Sequence, residues 1–132
     1  MHITDRVSTL WIVIMFNMAF ADILGFIDPA TLSEIATAST EGVAFGNIEN
    51  VVITPSLLLV AAVFIQIAIV MIYLSKSLPK KANRITNTVA ALLTGVFILG
   101  GGSLSPHYIF FASIEIMCLG YIVFSVWRWN DR

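Results

Sequence analysis

The chain has 132 residues, of which 58% are hydrophobic and only 11% charged, with a mean hydropathy of +0.93. Soluble domains carry roughly 25% charged residues, so too few polar side chains are present to cover a water-soluble globule, and the integral membrane class follows. A net charge of -1 lacks the basic excess of a nucleic-acid binder, and the single cysteine, Cys118, excludes an internal disulfide and argues against a thiolate metal site.

A helix crossing about 30 Å of hydrocarbon needs roughly 20 mostly apolar residues, and an open strand would leave backbone groups unpaired in lipid. Residues 7–27 form the first such run and hold Asn17 and Asp22. The stretch "AFA" at 19–21 resembles the A-x-A cleavage site of a secretory signal. Ile23, Leu24, Phe26 and Ile27 prolong the apolar run beyond it, which suits a span.

The connection 28–50 comes next. "DPATLSEIATAST" opens with Asp28 as N-cap and Pro29 at the first helical position. Leu32, Ile35 and Ala36 give it a short apolar face, which predicts a short helix on the outer surface. "EGVAFGNIEN", with Gly42 and Gly46, predicts irregular chain. The second span, 51–74, has no charge; "TP" at 54–55 marks its helical start, and Gln66 is expected to hydrogen-bond a neighbouring helix.

"SKSLPKKANR" is a short basic connection broken by Pro79. In "ANRITN", Asn83 is expected to cap the third helix, Arg84 to meet anionic lipid headgroups and Asn87 to touch a neighbouring helix end. The third span is 85–104; its Ala91 and Gly95 make a small-xxx-small pair that predicts close helix packing and offers a face for a homo-oligomer. After the tight turn "GGGSLSP", the fourth span, 109–127, contains Glu115.

Orientation follows from the basic residues. All seven Lys and Arg residues (Arg6, Lys76, Lys80, Lys81, Arg84, Arg128 and Arg132) fall on one side of this arrangement. The connection 28–50 has none, but carries Asp28, Glu34, Glu41 and Glu49. The positive-inside rule then predicts a multi-pass protein of the cell (inner or plasma) membrane with both termini cytoplasmic. Trp11, Trp127 and Trp129 fall near the inner interface, where indoles prefer to sit. The expected architecture is all-α: one domain over 1–132, a bundle of four transmembrane helices.

Glu115 lies about nine residues inside the outer end of its helix, roughly 13 Å deep. Placing a carboxylate at such depth costs roughly 2.5–3.5 kcal/mol, so Glu115 is expected to face the bundle interior and to be neutral or partnered. Asp22 lies roughly 9 Å below the outer end of the first helix, and Asn17 reaches a depth similar to Glu115. His107, Tyr108, Ser113 and Thr54 add polar groups nearby. No Lys or Arg lies at this depth, so a cation would come from His107 or from a ligand.

A hydrogen bond from Glu115 to Asn17 or to a backbone carbonyl would be a structural use of the acid. Polar contacts between membrane helices average only about 0.6 kcal/mol, a small return against the insertion cost, and intramembrane acids are functional by default. The residues therefore predict a small membrane protein that binds a lipophilic or cationic ligand, with transport as one form of that role. Glu115 anchors the ligand, Asp22 partners it, and Asn17, His107 and Tyr108 orient it. An acid-pair membrane enzyme, an ion or proton channel, and an accessory subunit are the alternatives. Nothing asks for a cofactor, and His2 and His107 are too far apart in sequence to suggest a metal site. The expected partners are membrane lipids.

"FNMAFADIL", "ITPSLLL", "LPKKANRITN" and "YIFFASIEI" together resemble a family of small bacterial four-helix membrane proteins known as a domain of unknown function. The resemblance spans nearly the whole chain. It implies the four-span architecture, draws attention to Asn17, Asp22, Asn83, Arg84, Asn87 and Glu115, and brings no activity with it.

Overall fold

The computed structural model describes residues 2–27, 29, 33, 36, 43–45, 48–51, 55–100 and 106–129. Four helices dominate: α1 (Ile3–Ile27), α2 (Pro55–Ser77), α3 (Lys80–Gly100) and α4 (Pro106–Trp127). Each is long and apolar enough to cross a membrane. α1, α3 and α4 start ahead of their apolar runs, because a polar first turn hydrogen-bonds as well as an apolar one; Arg6 N, for example, donates to His2 O at 3.0 Å. α2 starts with Pro55, where the missing N–H removes no intrahelical bond.

Two expectations change. Val51 belongs to a strand rather than to the second helix, and the stretch read as irregular contains β1 (Val43–Phe45) and β2 (Ile48–Val51). They pair antiparallel, Val43 with Val51 and Phe45 with Ile48, with a register shift between the two pairs. The two glycines suggested disorder of pattern, yet Gly46-Asn47 between two β-prone runs is a hairpin signal. The helix expected from Asp28 falls almost wholly outside the described residues, of which only Pro29, Ser33 and Ala36 lie there.

The helices form a ring: α1 packs on α2 and α4, and α3 packs on α2 and α4. Neighbours run antiparallel. Asp5 at the start of α1 meets Lys76 at the end of α2, 3.4 Å apart. Arg84 at the start of α3 bonds Val126 O at the end of α4 at 3.1 Å. The His2 and Trp129 rings meet edge-on at 6.2 Å. The start of α1, the α2–α3 link and the end of α4 therefore share one end of the bundle, hereafter the basic end.

The core is concentrated toward that end. Val7, Trp11 and Ile14 of α1 pack with Ala68 and Met71 of α2, Ala90 and Ala91 of α3, and Leu119, Ile122 and Val126 of α4. Ala91 and Gly95 do form a packing face, and it is used within the chain: Ala91 is buried, and a Cβ on Gly95 would lie 3.8 Å from Leu119 Cδ1. No described side chain of α2 between Pro55 and Ile67 is buried. The outer surface is apolar, with Phe16, Leu59, Leu92 and Met117 all exposed, which is compatible with insertion into lipid.

Candidate functional site

Two polar regions lie inside the bundle, one at each end of the packed core. The first centres on Glu115. It sits on the inward stripe of α4 with Leu119 and Ile122, and the residue is only 4% exposed. Its carboxyl makes no hydrogen bond or ion pair with any described residue. Asp22 and Tyr108 lie within electrostatic reach of it. Asp22 itself is exposed on α1.

Of the polar groups expected around Glu115, three bond elsewhere. Asn17 Nδ2 donates to Val13 O, one turn back on its own helix, at 2.8 Å. Ser113 Oγ likewise donates to Ile109 O at 2.7 Å. Tyr108 Oη donates to Ile98 O at 2.9 Å, pinning the start of α4 to the last turns of α3. His107 is half-buried and bonds no described residue. Thr54 lies outside the described residues. The helix-fastening bond from Glu115 to Asn17 is therefore not formed.

Thr94 joins this region without having been expected there. It is fully buried, and among the described residues its hydroxyl oxygen is fully enclosed without a hydrogen-bond partner, whereas the Glu115 carboxyl oxygens are not enclosed to that degree. The Gly95–Leu119 and Ile98–Tyr108 contacts set the antiparallel register of α3 on α4 and bring Thr94 to a depth comparable with Glu115. Buried polar groups are nearly always hydrogen-bonded. An unbonded carboxyl and an unbonded hydroxyl on facing helices thus mark a place where bonding capacity is left open.

The second region lies toward the basic end and is a connected hydrogen-bond network. Asn87 Oδ1 accepts from Trp11 Nε1 at 2.8 Å and from Ser75 Oγ at 3.3 Å. Asn87 Nδ2 donates to Asn83 O at 2.9 Å and also to Asn83 Oδ1. Asn83 Nδ2 donates to Ser75 O at 2.7 Å, and Ser8 Oγ donates to Ile72 O at 2.7 Å. Asn83 is thus a buried link to α2 rather than a cap, because α3 already begins at Lys80. Sequence reasoning named only Gln66, Asn83 and Asn87 among the uncharged polar residues of this half. Ser8, Ser75, Asn83, Asn87 and Ser125 are all buried there. The available signal was the i, i+4 spacing of Asn83 and Asn87, which puts two amides on one helix face.

Arg84 points the other way. Its Nε donates to Val126 O, satisfying a carbonyl in the last turn of α4, and its guanidinium stacks 5.1 Å over the Trp127 ring. Trp127 Nε1 returns a bond to Thr88 Oγ1 at 2.9 Å. Arg84 thus takes part in a clasp between two helix ends.

Gln66 is exposed, not bonded across helices. It lines an apolar groove of about 570 Å³ between α2 and α3, with Val63, Val70, Leu74, Ile85, Val89 and Leu93 among its walls. This groove is separate from the Glu115 region. No group of three or more His, Cys, Asp or Glu able to hold a metal occurs among the described residues.

A family model described as a family of unknown function, DUF6326, matches residues 2–132. The chain belongs to that family. No curated protein and no solved structure matches it. The match takes in all four helices and both polar regions, so the DUF6326 family is defined over the whole bundle rather than over one segment. The family supplies no activity, and chemistry has to be read from the side chains themselves.

Proposed function

We propose that the chain is a multi-pass protein of the cell membrane, both termini cytoplasmic, that binds a small lipophilic or cationic ligand in the outer half of the bundle. Glu115 is the anchor, Asp22 the second charge, and Asn17, His107, Tyr108 and Thr94 border the ligand. One observation carries this: Glu115 is buried without a hydrogen bond to any described residue. No described residue takes up the bonding capacity of that carboxyl, and a proton or a cationic group is what it would take. Asp22 within electrostatic reach strengthens the attraction for positive charge. The orientation rests on the seven basic residues, which sequence places on the side of the termini and the α2–α3 link.

The test is binding of tetraphenylphosphonium, a lipophilic cation, to the detergent-solubilised protein. Wild type is expected to bind saturably, Glu115→Gln at least about tenfold more weakly, a loss of about 1.4 kcal/mol, and Asp22→Asn by a smaller factor. Equal binding by wild type and Glu115→Gln would sink the reading.

A second reading is proton passage, favoured by the inward polar row of Glu115, Thr94 and Asn87. Trp11, Ile14 and Met71, all buried, interrupt that row. Liposomes carrying the protein and an internal pH dye decide it: flux lost in Glu115→Gln supports passage, and no flux in wild type removes it.

A further inference from the structure

The groove between α2 and α3 has a shape and a charge that the Glu115 site does not use. Its α3 wall is the stripe Ile85, Val89, Leu93, each one turn from the next. Its α2 wall is Val63, Ile67, Val70, Leu74. From Ile85 to Leu93 it runs roughly 12 Å, and from Val63 to Leu74 roughly 16 Å, at 1.5 Å per residue. That is about half of a 30 Å hydrocarbon layer, the depth of one leaflet. It lies in the half of the bundle nearer the basic end.

The stripe on α3 continues one turn further to Lys81, which is exposed. Lys76 is close in sequence but is paired with Asp5. The groove is therefore apolar along one leaflet's depth and positively charged at its mouth. Gln66 and Thr86 are its polar lining side chains. Arg84 lies off this stripe, with its Nε bonded to Val126 O and its guanidinium over the Trp127 ring.

We propose that this groove is a binding site for one anionic phospholipid, with an acyl chain between α2 and α3 and the phosphate at Lys81. A second copy of the chain would cover the apolar walls but would gain nothing from a basic side chain at one end. An anionic lipid uses both features at once. The site is independent of any ligand at Glu115, which lies across the bundle on α4.

Native mass spectrometry from mild detergent tests it, with dioleoylphosphatidylglycerol and dioleoylphosphatidylcholine as probes sharing the same acyl chains. Wild type is expected to retain one phosphatidylglycerol in preference to phosphatidylcholine by at least about fivefold, the effect of one lysine near a charged lipid. Lys81→Gln should lose the preference and keep weak retention of both lipids. Val89→Trp fills the groove from a side chain that is 50% exposed, so the fold tolerates it; this variant should retain neither lipid. Equal retention of the two lipids by wild type, or a preference that survives in both variants, overturns the proposal. So does a wild-type dimer that Val89→Trp converts to monomer, which would assign the groove to a second copy. Helical circular dichroism of each variant confirms that lost retention is not unfolding.

Discussion

Trp11 Nε1 on α1 donates to Asn87 Oδ1 on α3 across 2.8 Å, joining two helices that stand diagonally opposite in the ring. Neighbouring helices in a ring can slide or rotate while keeping their shared contacts. A bond across the diagonal fixes both helices against the centre. Asn87 also receives Ser75 from α2, so three of the four helices meet at one amide.

Removing that amide should therefore matter more than its size suggests. Asn87→Ala strands the buried Trp11 N–H and Ser75 hydroxyl and frees the Asn83 amide. An orphaned buried group costs about 1–3 kcal/mol, while single bonds between membrane helices average about 0.6 kcal/mol. A loss of about 1–3 kcal/mol is expected, seen as a lower thermal midpoint in detergent. An unchanged midpoint would mean that the network contributes nothing to stability.

Glu115 should behave in the opposite way. Its carboxyl makes no bond within the described chain, so replacing it by a leucine of similar size removes a desolvation cost and little else. Glu115→Leu is expected to raise stability by about 1–3 kcal/mol, following the insertion cost of a buried acid, while abolishing cation binding. Such a trade between stability and function is what a functional buried charge produces. If Glu115→Leu destabilises the bundle, the acid holds helices together instead.

Gly95 is less constrained than its motif implies. A Cβ there would meet Leu119 Cδ1 at 3.8 Å, an ordinary van der Waals contact. Gly95→Ala should therefore stabilise α3 by about 0.5–1 kcal/mol through helix propensity. Gly95→Leu should destabilise, because its branched end would overlap Leu119. Parallel thermal melts of the two variants check this, and a destabilised Gly95→Ala would show that the helices need the bare glycine.

The Asp5–Lys76 pair is expected to contribute almost nothing. The two side chains are 51% and 57% exposed, and exposed pairs are worth about 0–1 kcal/mol. Asp5→Asn should shift the midpoint by no more than about 0.5 kcal/mol, at low salt as at high. A larger loss at low salt would mark the pair as part of the fold's support.

The sequence by itself determined the four helices and their order and set the basic residues outside the connection 28–50, because these depend on run length and charge, which local composition carries. It also located Glu115 and Asp22 as the polar groups to examine, since a carboxylate in an apolar run stands out without any structure. Only the tertiary structure decided what each polar side chain faces. Asn83 reads as a cap one residue at a time, yet it is a buried link to Ser75, because α3 begins a turn earlier and turns that amide inward. Gln66 reads as interhelical but faces outward, since a helix with apolar residues on every side carries no stripe from which to tell its inner face. The same lack of a stripe hid the groove between α2 and α3 and the pairing of Thr94 with Glu115 in depth. Both depend on how two helices are rotated and registered against each other, and in lipid that is set by packing and hydrogen bonds between helices, not by a hydrophobic pattern along any one of them.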